Sequence, residues 1–274
     1  MNLSKLRIAF VGGGNMASAI IGGCVKHGVA GDQILVIDPN ADQLAKLRET
    51  WGVRGATEAN DELKSADLVV WAVKPQVFKS VALNNRRFCG EQALHLSVAA
   101  GVTCTSLASC LGSSRWVRAM PNTPALVGAG ATALFALPEV SVAERTLVAD
   151  LLASTGLVLW VDDEALLEAV TAVSGSGPAY VFYWLEAMLA GGADLGLDPA
   201  AAKQLAIATL KGAALLAEQS EESPATLRER VTSKGGATHE ALEVMRAGQV
   251  DATIQKAMHA CAQRARELGA AFDD

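Results

Sequence analysis

Near the amino terminus, Gly12-Gly13-Gly14-Asn15-Met16-Ala17 has the Gly-x-Gly-x-x-Ala spacing of a turn that holds phosphates. It follows an apolar run at 8–11 and precedes Ala19-Ile20-Ile21, which begins a helical pattern. In that setting Gly12 permits the tight turn, Gly14 lets backbone amides approach a pyrophosphate, and Ala17 lets the helix pack closely on the strand. The positive end of the helix then points at the phosphates. A glycine turn between strand and helix is common by itself; a carboxylate at the end of the next strand makes it informative. Asp38, in Val36-Ile37-Asp38-Pro39-Asn40, stands twenty-four positions beyond Gly14. It either chelates the ribose hydroxyls of a dinucleotide or caps the turn at Pro39. As a ribose ligand it would repel a 2′-phosphate and favour NAD, and no arginine follows it to clamp one. Two more strand ends bring Ala72-Val73-Lys74-Pro75 and Ala99-Ala100-Gly101 to the same edge, where Lys74 is either a phosphate partner or a solvated loop lysine.

A second chemistry is written in three later segments: Met120-Pro121-Asn122-Thr123-Pro124, Ala172-Val173-Ser174-Gly175-Ser176-Gly177-Pro178-Ala179-Tyr180, and Val231-Thr232-Ser233-Lys234-Gly235-Gly236-Ala237-Thr238. In the last, Gly235-Gly236 opens a helix over about 237–245, so unpaired amides and the positive end of the helix dipole face outward. That is a pocket for a carboxylate, and the Ser233 and Thr238 hydroxyls can bind the same anion or accept from a protonated ring nitrogen. The plainer alternative is an ordinary helix start after a glycine turn. The four histidines, His27, His95, His239 and His259, are scattered, and no His, Cys, Asp and Glu cluster has metal-ligand spacing, so no metal is expected.

The elements that must position these groups follow from the hydrophobic pattern. Short β-branched runs at 8–11, 34–37, 68–73, 94–98 and 116–118 alternate with longer periodic segments, which implies a parallel sheet covered by helices. Runs at 131–136 and 157–161 flank a helical pattern at 141–155 and complete the sheet. From residue 163 onward nothing reads as a strand, and Ala, Leu, Glu and Lys recur at helical spacing. The chain is therefore α/β: a Rossmann-type nucleotide-binding domain over 1–161, then an all-helical domain for substrate binding and dimerisation over 162–274. The apolar surplus of the helical half predicts burial by a second copy, at least as a dimer. The uncharged stretch 169–185 approaches the length of a membrane span, but Gly175 to Pro178 would break a lipid-facing helix, so a helix buried in protein, at a subunit interface, is predicted there instead.

Composition agrees. The 274 residues are 51% hydrophobic and 19% charged, which excludes a disordered chain. A net charge of -6 and a pI near 5.3 speak against nucleic acid or an anionic membrane as a partner. Five dispersed cysteines without a Cys-x-x-Cys pair, and a start at Met1 to Arg7 with no secretory signal, predict reduced thiols and a cytoplasmic protein.

The order and spacing of the three later segments, with the amino-terminal glycine turn, resemble the pyrroline-5-carboxylate reductases across nearly the whole chain, and 224–245 is similar to that family's signature. The resemblance implies reduction of 1-pyrroline-5-carboxylate to L-proline, the last step of proline biosynthesis, with NADP(H), NAD(H) being possible. It implies a homodimer or ring of dimers whose active sites lie where the nucleotide domain of one subunit meets the helical domain of another. Carried over by position, Thr238 would hydrogen-bond the ring nitrogen as the catalytic group, Ser233, Gly236 and Ala237 would hold the carboxylate, and Glu164 would lie near bound proline. Gly12, Gly13, Gly14, Asn15, Met16, Asp38, Asn40, Asn60, Val73, Lys74 and Ala100 would line the cofactor site. Asp38 departs from relatives with a small hydroxyl residue there, which puts the cofactor preference in doubt. The alternatives are a reductase of another small cyclic imine or a β-hydroxyacid dehydrogenase on the same architecture. The latter needs a helical-domain lysine, but Lys203, Lys211 and Lys256 adjoin no glycine-rich substrate motif. A catalytically silent nucleotide-binding protein need not keep the intact 233–238 segment.

Overall fold

The computed structural model describes residues 5–273; the first four residues of the amino-terminal stretch considered above lie outside them. The chain runs β1 (Ile8–Val11), α1 (Asn15–Lys26), β2 (Ile34–Ile37), α2 (Ala41–Trp51), β3 (Arg54–Ala56), β4 (Leu68–Trp71), α3 (Pro75–Asn85), β5 (Leu94–Ser97), α4 (Cys104–Leu111), β6 (Trp116–Met120), β7 (Gly130–Ala136), α5 (Val142–Ala153) and β8 (Gly156–Trp160). These strands form one sheet in the order β3-β2-β1-β4-β5-β6-β7-β8. Side chains alternate between its faces. Ile8, Phe10, Val36 and Val70 meet Ile20, Ile21, Leu147 and Leu151 on one face, while Val11, Ile37, Val69 and Trp71 meet Phe78, Leu107 and Trp116 on the other. With both faces covered, β1, β2 and β4 are buried at every position, which is why they read as unbroken apolar runs; β5 is as buried but carries His95 and Ser97.

Two features depart from the uniformly parallel sheet expected. β7 pairs antiparallel with β6, whereas the other strand pairs are parallel. Only nine residues, 121–129, separate these strands, fewer than the dozen or so that a parallel crossover requires, so the chain must turn straight back. The edge strand β3 was not predicted because Arg54-Gly55-Ala56 has no apolar run and no fully buried residue.

After β8 the described residues are helical: α6 (Leu166–Val170), a π-helical turn at Thr171–Gly175, α7 (Gly177–Asp194), α8 (Pro199–Glu218), α9 (Pro224–Arg230), α10 (Ala237–Ala247) and α11 (Val250–Asp273). The chain divides into two compact units, one of the residues up to Pro178 together with those from Ala260, the other Ala179–His259. Strands end at Trp160, but the first unit extends beyond them. Leu167 and Ala172 are buried in it, Phe272 packs edge-on against Phe78 at 5.9 Å, and Gly269 lies on the backbone of Gly101.

The second unit leaves apolar surface uncovered within the chain. α7 has no residue buried within the single chain, and α8 has only Ala202 and Ala206, so burial of the helix expected over 169–185 falls to a second copy. Phe182, Tyr183, Leu195, Leu216 and Val244 are exposed, and a groove of ≈ 620 Å³ is lined by Tyr180, Tyr183, Trp184, Leu210 and Ile254. The π-helical turn interrupts 169–185 as a continuous helix. Among the described residues α8, with 20 residues and a mean hydropathy of 1.2, is long and apolar enough to cross a membrane by length and composition.

Candidate active site

The glycine turn is built as its spacing requires. Gly12 has φ +98°, a conformation that favours glycine, and a Cβ there would lie 2.6 Å from the Ala72 carbonyl oxygen. Its own amide donates to the Ile37 carbonyl at 2.8 Å, tying the turn to the end of β2. Gly14 is exposed, and a Cβ added to it would meet open space, so a ligand can approach its backbone. It precedes α1, whose amino end has no side-chain cap and no acidic residue in its first turn, while Ala17 is fully buried against the sheet. Asn15 is exposed and Met16 half-buried at this opening. The donor set and the open approach fit the pyrophosphate of a dinucleotide.

Beside the turn lies a cleft of ≈ 760 Å³ whose wall includes Gly12, Asp38, Thr57, Glu58 and Val73. Asp38 borders the cleft and also braces the turn, its Oδ2 accepting from the Gly13 amide at 2.7 Å and its Oδ1 from the Asn40 amide at 2.8 Å. Asn40 caps α2, accepting from the amides of Asp42 and Gln43. Asn60 caps the short turn after β3 and borders the neighbouring depression with Arg48 and Glu58, apart from the main cleft. Because β4 stops at Trp71, Val73 and Lys74 leave the sheet; Lys74 is exposed and starts α3. Ala100 is half-buried in the turn after β5, followed by Gly101 at φ +80°.

Within the same unit, the two middle motifs are joined. Asn122 is buried after β6; its Nδ2 donates to the Ser174 carbonyl at 3.0 Å and its Oδ1 accepts from the Ala131 amide at 2.8 Å. One amide side chain thus ties the loop after β6 to the π-helical turn, a conformation that recurs at functional sites. A Cβ on Gly175 would collide with the Met120 Cε, so glycine lets that turn press onto the loop. Glu164 sits nearby in sequence and is held from the sheet: its Oε1 accepts from Arg118 Nη1 at 3.0 Å and from the Cys104 amide at 2.7 Å. Arg118, 2% exposed, also donates to Glu168 at 3.2 Å. Two carboxylates around one buried guanidinium supply the partners that a buried charge requires. Burial first, and Glu164 second, push the Cys104 thiol above its ordinary range.

In the second unit, the segment before α10 is an exposed glycine turn that leads into the helix. Gly235 has φ +70°, and the Gly236 amide donates to the Ser233 carbonyl at 3.0 Å, folding the loop over the helix start. Gly236 occupies the cap position with no side chain bonded there. Ser233, Ala237 and Thr238 are exposed. A Cβ on Gly236 would meet the Ser233 Oγ, so glycine keeps that hydroxyl in place.

Thr57 and Glu58 in the cleft wall, and Arg118 behind the loops, were missed, and Asn122 was read only as part of the segment 120–124. The first pair follows an edge strand too short to show a pattern. Arg118 did leave a signal: a charge inside the apolar run 116–120 must find a buried partner.

Similarity to known proteins spans both units. The family described as pyrroline-5-carboxylate reductase dimerisation matches residues 164–268, and that described as NADP oxidoreductase coenzyme F420-dependent matches residues 7–101. The pyrroline-5-carboxylate reductase of Pseudomonas aeruginosa is 43% identical over 267 residues, covering 97% of this chain and 98% of that protein. The solved pyrroline-5-carboxylate reductase of Coxiella burnetii superposes with a TM-score of 0.88 at 39% identity, over 96% of this chain and 98% of that one. The Plasmodium falciparum pyrroline carboxylate reductase with NADP bound also gives 0.88, at 26% identity over 98% of this chain and 100% of that one. With 43% identity over 97% of its length, the chain belongs to the pyrroline-5-carboxylate reductase family.

Proposed function

We infer that this chain is an NAD(P)H-dependent oxidoreductase that reduces the C=N bond of 1-pyrroline-5-carboxylate to give L-proline, the last step of proline biosynthesis. The observation that carries this is 43% identity to a pyrroline-5-carboxylate reductase over 97% of the chain. The open glycine turn after β1 and the exposed turn before α10 supply the two binding chemistries the reaction needs.

Bound NAD(P)H supplies the hydride. Gly12, Gly13, Gly14, Asn15 and Met16 hold its pyrophosphate through backbone and helix-end contacts, Asp38 and Asn40 take the adenosine ribose, and Asn60, Val73, Lys74 and Ala100 complete the cofactor site. On the substrate side Ser233, Gly236 and Ala237 bind the carboxylate, where outward amides and a helix dipole favour an anion. The ring nitrogen must be protonated when hydride reaches the adjacent carbon, since the C=N electron pair then settles on nitrogen as an amine lone pair. The substrate binds as the iminium or takes its proton from water, and the Thr238 hydroxyl orients the nitrogen. Glu164, held by Arg118 and the Cys104 amide, is assigned a place near bound proline, where its carboxylate suits the product ammonium.

The protein is a homo-oligomer, in keeping with the dimerisation family match and the uncovered apolar faces of α7 and α8. We assign it to dimers, or rings of dimers, that cover these faces. Its acidic charge and five cysteines outside any disulfide suit the cytoplasm. The test is loss of reduced-nicotinamide absorbance when purified protein meets pyrroline-5-carboxylate. Turnover to proline is expected; folded protein that binds nucleotide without turning over this imine would overturn the assignment.

A further inference from the structure

The buried Arg118 bears on how the positive charge of the ring nitrogen is met, given the place near bound proline assigned to Glu164 above, on which the inference rests. Arg118 lies in the interior of the sheet: in β6 it stands opposite Phe135 of β7 and in register with Ser97 of β5, so its backbone is fixed on both sides. Its guanidinium divides its terminal nitrogens between two carboxylates, Nη1 donating to Glu164 at 3.0 Å and Nη2 to Glu168 at 3.2 Å. Arginine suits this because its planar fork holds two acceptors at once, where a lysine ammonium is a single point charge. Glu164 is held from a second direction by the Cys104 amide at 2.7 Å, in the first turn of α4. Its backbone is fixed as well: the Leu167 amide donates to the Glu164 carbonyl at 3.0 Å, and the Ala165 amide to Asp163 Oδ1 at 2.9 Å.

Burial of Arg118 does not by itself call for both carboxylates, since one anionic partner balances a buried cation. Glu168, whose side chain is 10% exposed, is the more enclosed of the two, and Glu164, at 20%, the more open. One guanidinium against two carboxylates leaves one negative charge over, of which the amino end of α4 offsets about half. Among the described residues neither carboxylate has a second cationic partner. The charge left over has the sign that a protonated ring nitrogen needs, in the iminium before hydride transfer and in the ammonium of proline after it. Two residues along β6 on the same face, Met120 lies against Gly175 of the π-helical turn, and Asn122 bonds Ser174 in it, so the triad is built into the elements that carry the two middle motifs.

We propose that Arg118 is a positioning residue for the reduction: by taking Glu168 with one terminal nitrogen and Glu164 with the other, it fixes the Glu164 carboxylate as the counter-charge of the cationic ring nitrogen. Glu168 balances the guanidinium, which frees the charge of Glu164 for the ligand.

Inhibition of pyrroline-5-carboxylate reduction by L-proline and by cyclopentanecarboxylate, a ring of the same size with carbon in place of nitrogen, tests this, because only the first carries the cation. Arg118→Lys keeps one positive charge for the buried carboxylates but not the fork. It is expected to weaken proline by about 10-fold or more, the scale of one part-buried charge contact, and to leave cyclopentanecarboxylate nearly unchanged. The Michaelis constant for the imino acid should rise by more than turnover falls. Glu168→Gln keeps an acceptor for Nη2 and removes the charge left over, so it should also weaken proline relative to cyclopentanecarboxylate, and it decides the matter if the lysine variant does not fold. Equal losses for both inhibitors would mean that the triad only holds the shape of the site, and no loss for either would make Arg118 a structural ion pair. Either result overturns the inference, while wild-type turnover leaves the reductase reading standing. Folded wild-type protein that does not turn over the imine would overturn that reading and this inference together.

Discussion

The hydroxyl of Thr238 is the single side-chain group assigned to the ring nitrogen, and it sits exposed on the first turn of α10. Thr238→Ala removes one positioning contact without disturbing a buried element. Turnover is expected to fall by about 10- to 1000-fold, the range found when one such group is lost, with Thr238→Ser restoring most of it. Steady-state kinetics on the three proteins decide; an alanine variant as fast as wild type would exclude the hydroxyl from the mechanism. His95 makes a different residue-scale prediction. It is buried, accepts from Trp71 Nε1 at 3.2 Å and stacks on Trp116 at 4.8 Å. Burial foremost, and the nearby Arg115 charge, lower its pKa from 6.5 to about 4. The folded state keeps it neutral where the unfolded chain takes up a proton, so its contribution erodes as pH falls from the unfolded value toward the folded one. Between about pH 7 and about pH 5 this costs on the order of 2 kcal/mol. Urea midpoints at the two pH values should therefore fall less in His95→Gln than in wild type, and parallel losses would show that His95 does not drive the acid sensitivity.

At the scale of elements, the loop before α10 is a backbone device, and its sensitivity lies in glycine. Besides meeting the Ser233 Oγ, a Cβ on Gly236 would stand 3.2 Å from the Ser233 carbonyl oxygen. Gly236→Val should push the carboxylate-binding hydroxyl aside and raise the Michaelis constant for the imino acid by about 10-fold or more, with a smaller change in turnover, because ground and transition states lose the same contact. A turnover defect with unchanged Michaelis constant would place the carboxylate elsewhere. The helix start at Ala237 was legible because two glycines precede a periodic segment, and β1 and β2 were legible to the residue because buried parallel strands read as apolar runs. β3 was not, since an exposed edge needs no such run, and the reversal of β7 follows from a connection length that matters only once β6 and β7 are known to be neighbours.

For the whole molecule, the apolar faces left by α7 and α8 are the clearest structural demand. Tyr183 is 77% exposed and Leu216 66%. Large uncovered apolar area of this kind marks an interaction surface. Placing charge there, as Tyr183→Glu with Leu216→Glu, should lower the mass measured by light scattering from oligomer toward the single chain while the helical circular dichroism persists. An unchanged mass would mean that these residues lie outside the subunit contact.

The amino-acid sequence by itself determined the class of fold, the position of the glycine turn, the helix start at α10, and the family resemblance, because each is a local matter of residue type, period and spacing. The tertiary structure decided what depends on groups distant in the chain. It shows that Asp38 braces Gly13 while it lines the cleft, that Arg118 gathers Glu164 and Glu168 from beyond the sheet, and that Asn122 ties the loop after β6 to the π-helical turn. Hydrogen bonds and buried charges are satisfied by whatever the fold brings near, and a linear pattern records the group but not its partner.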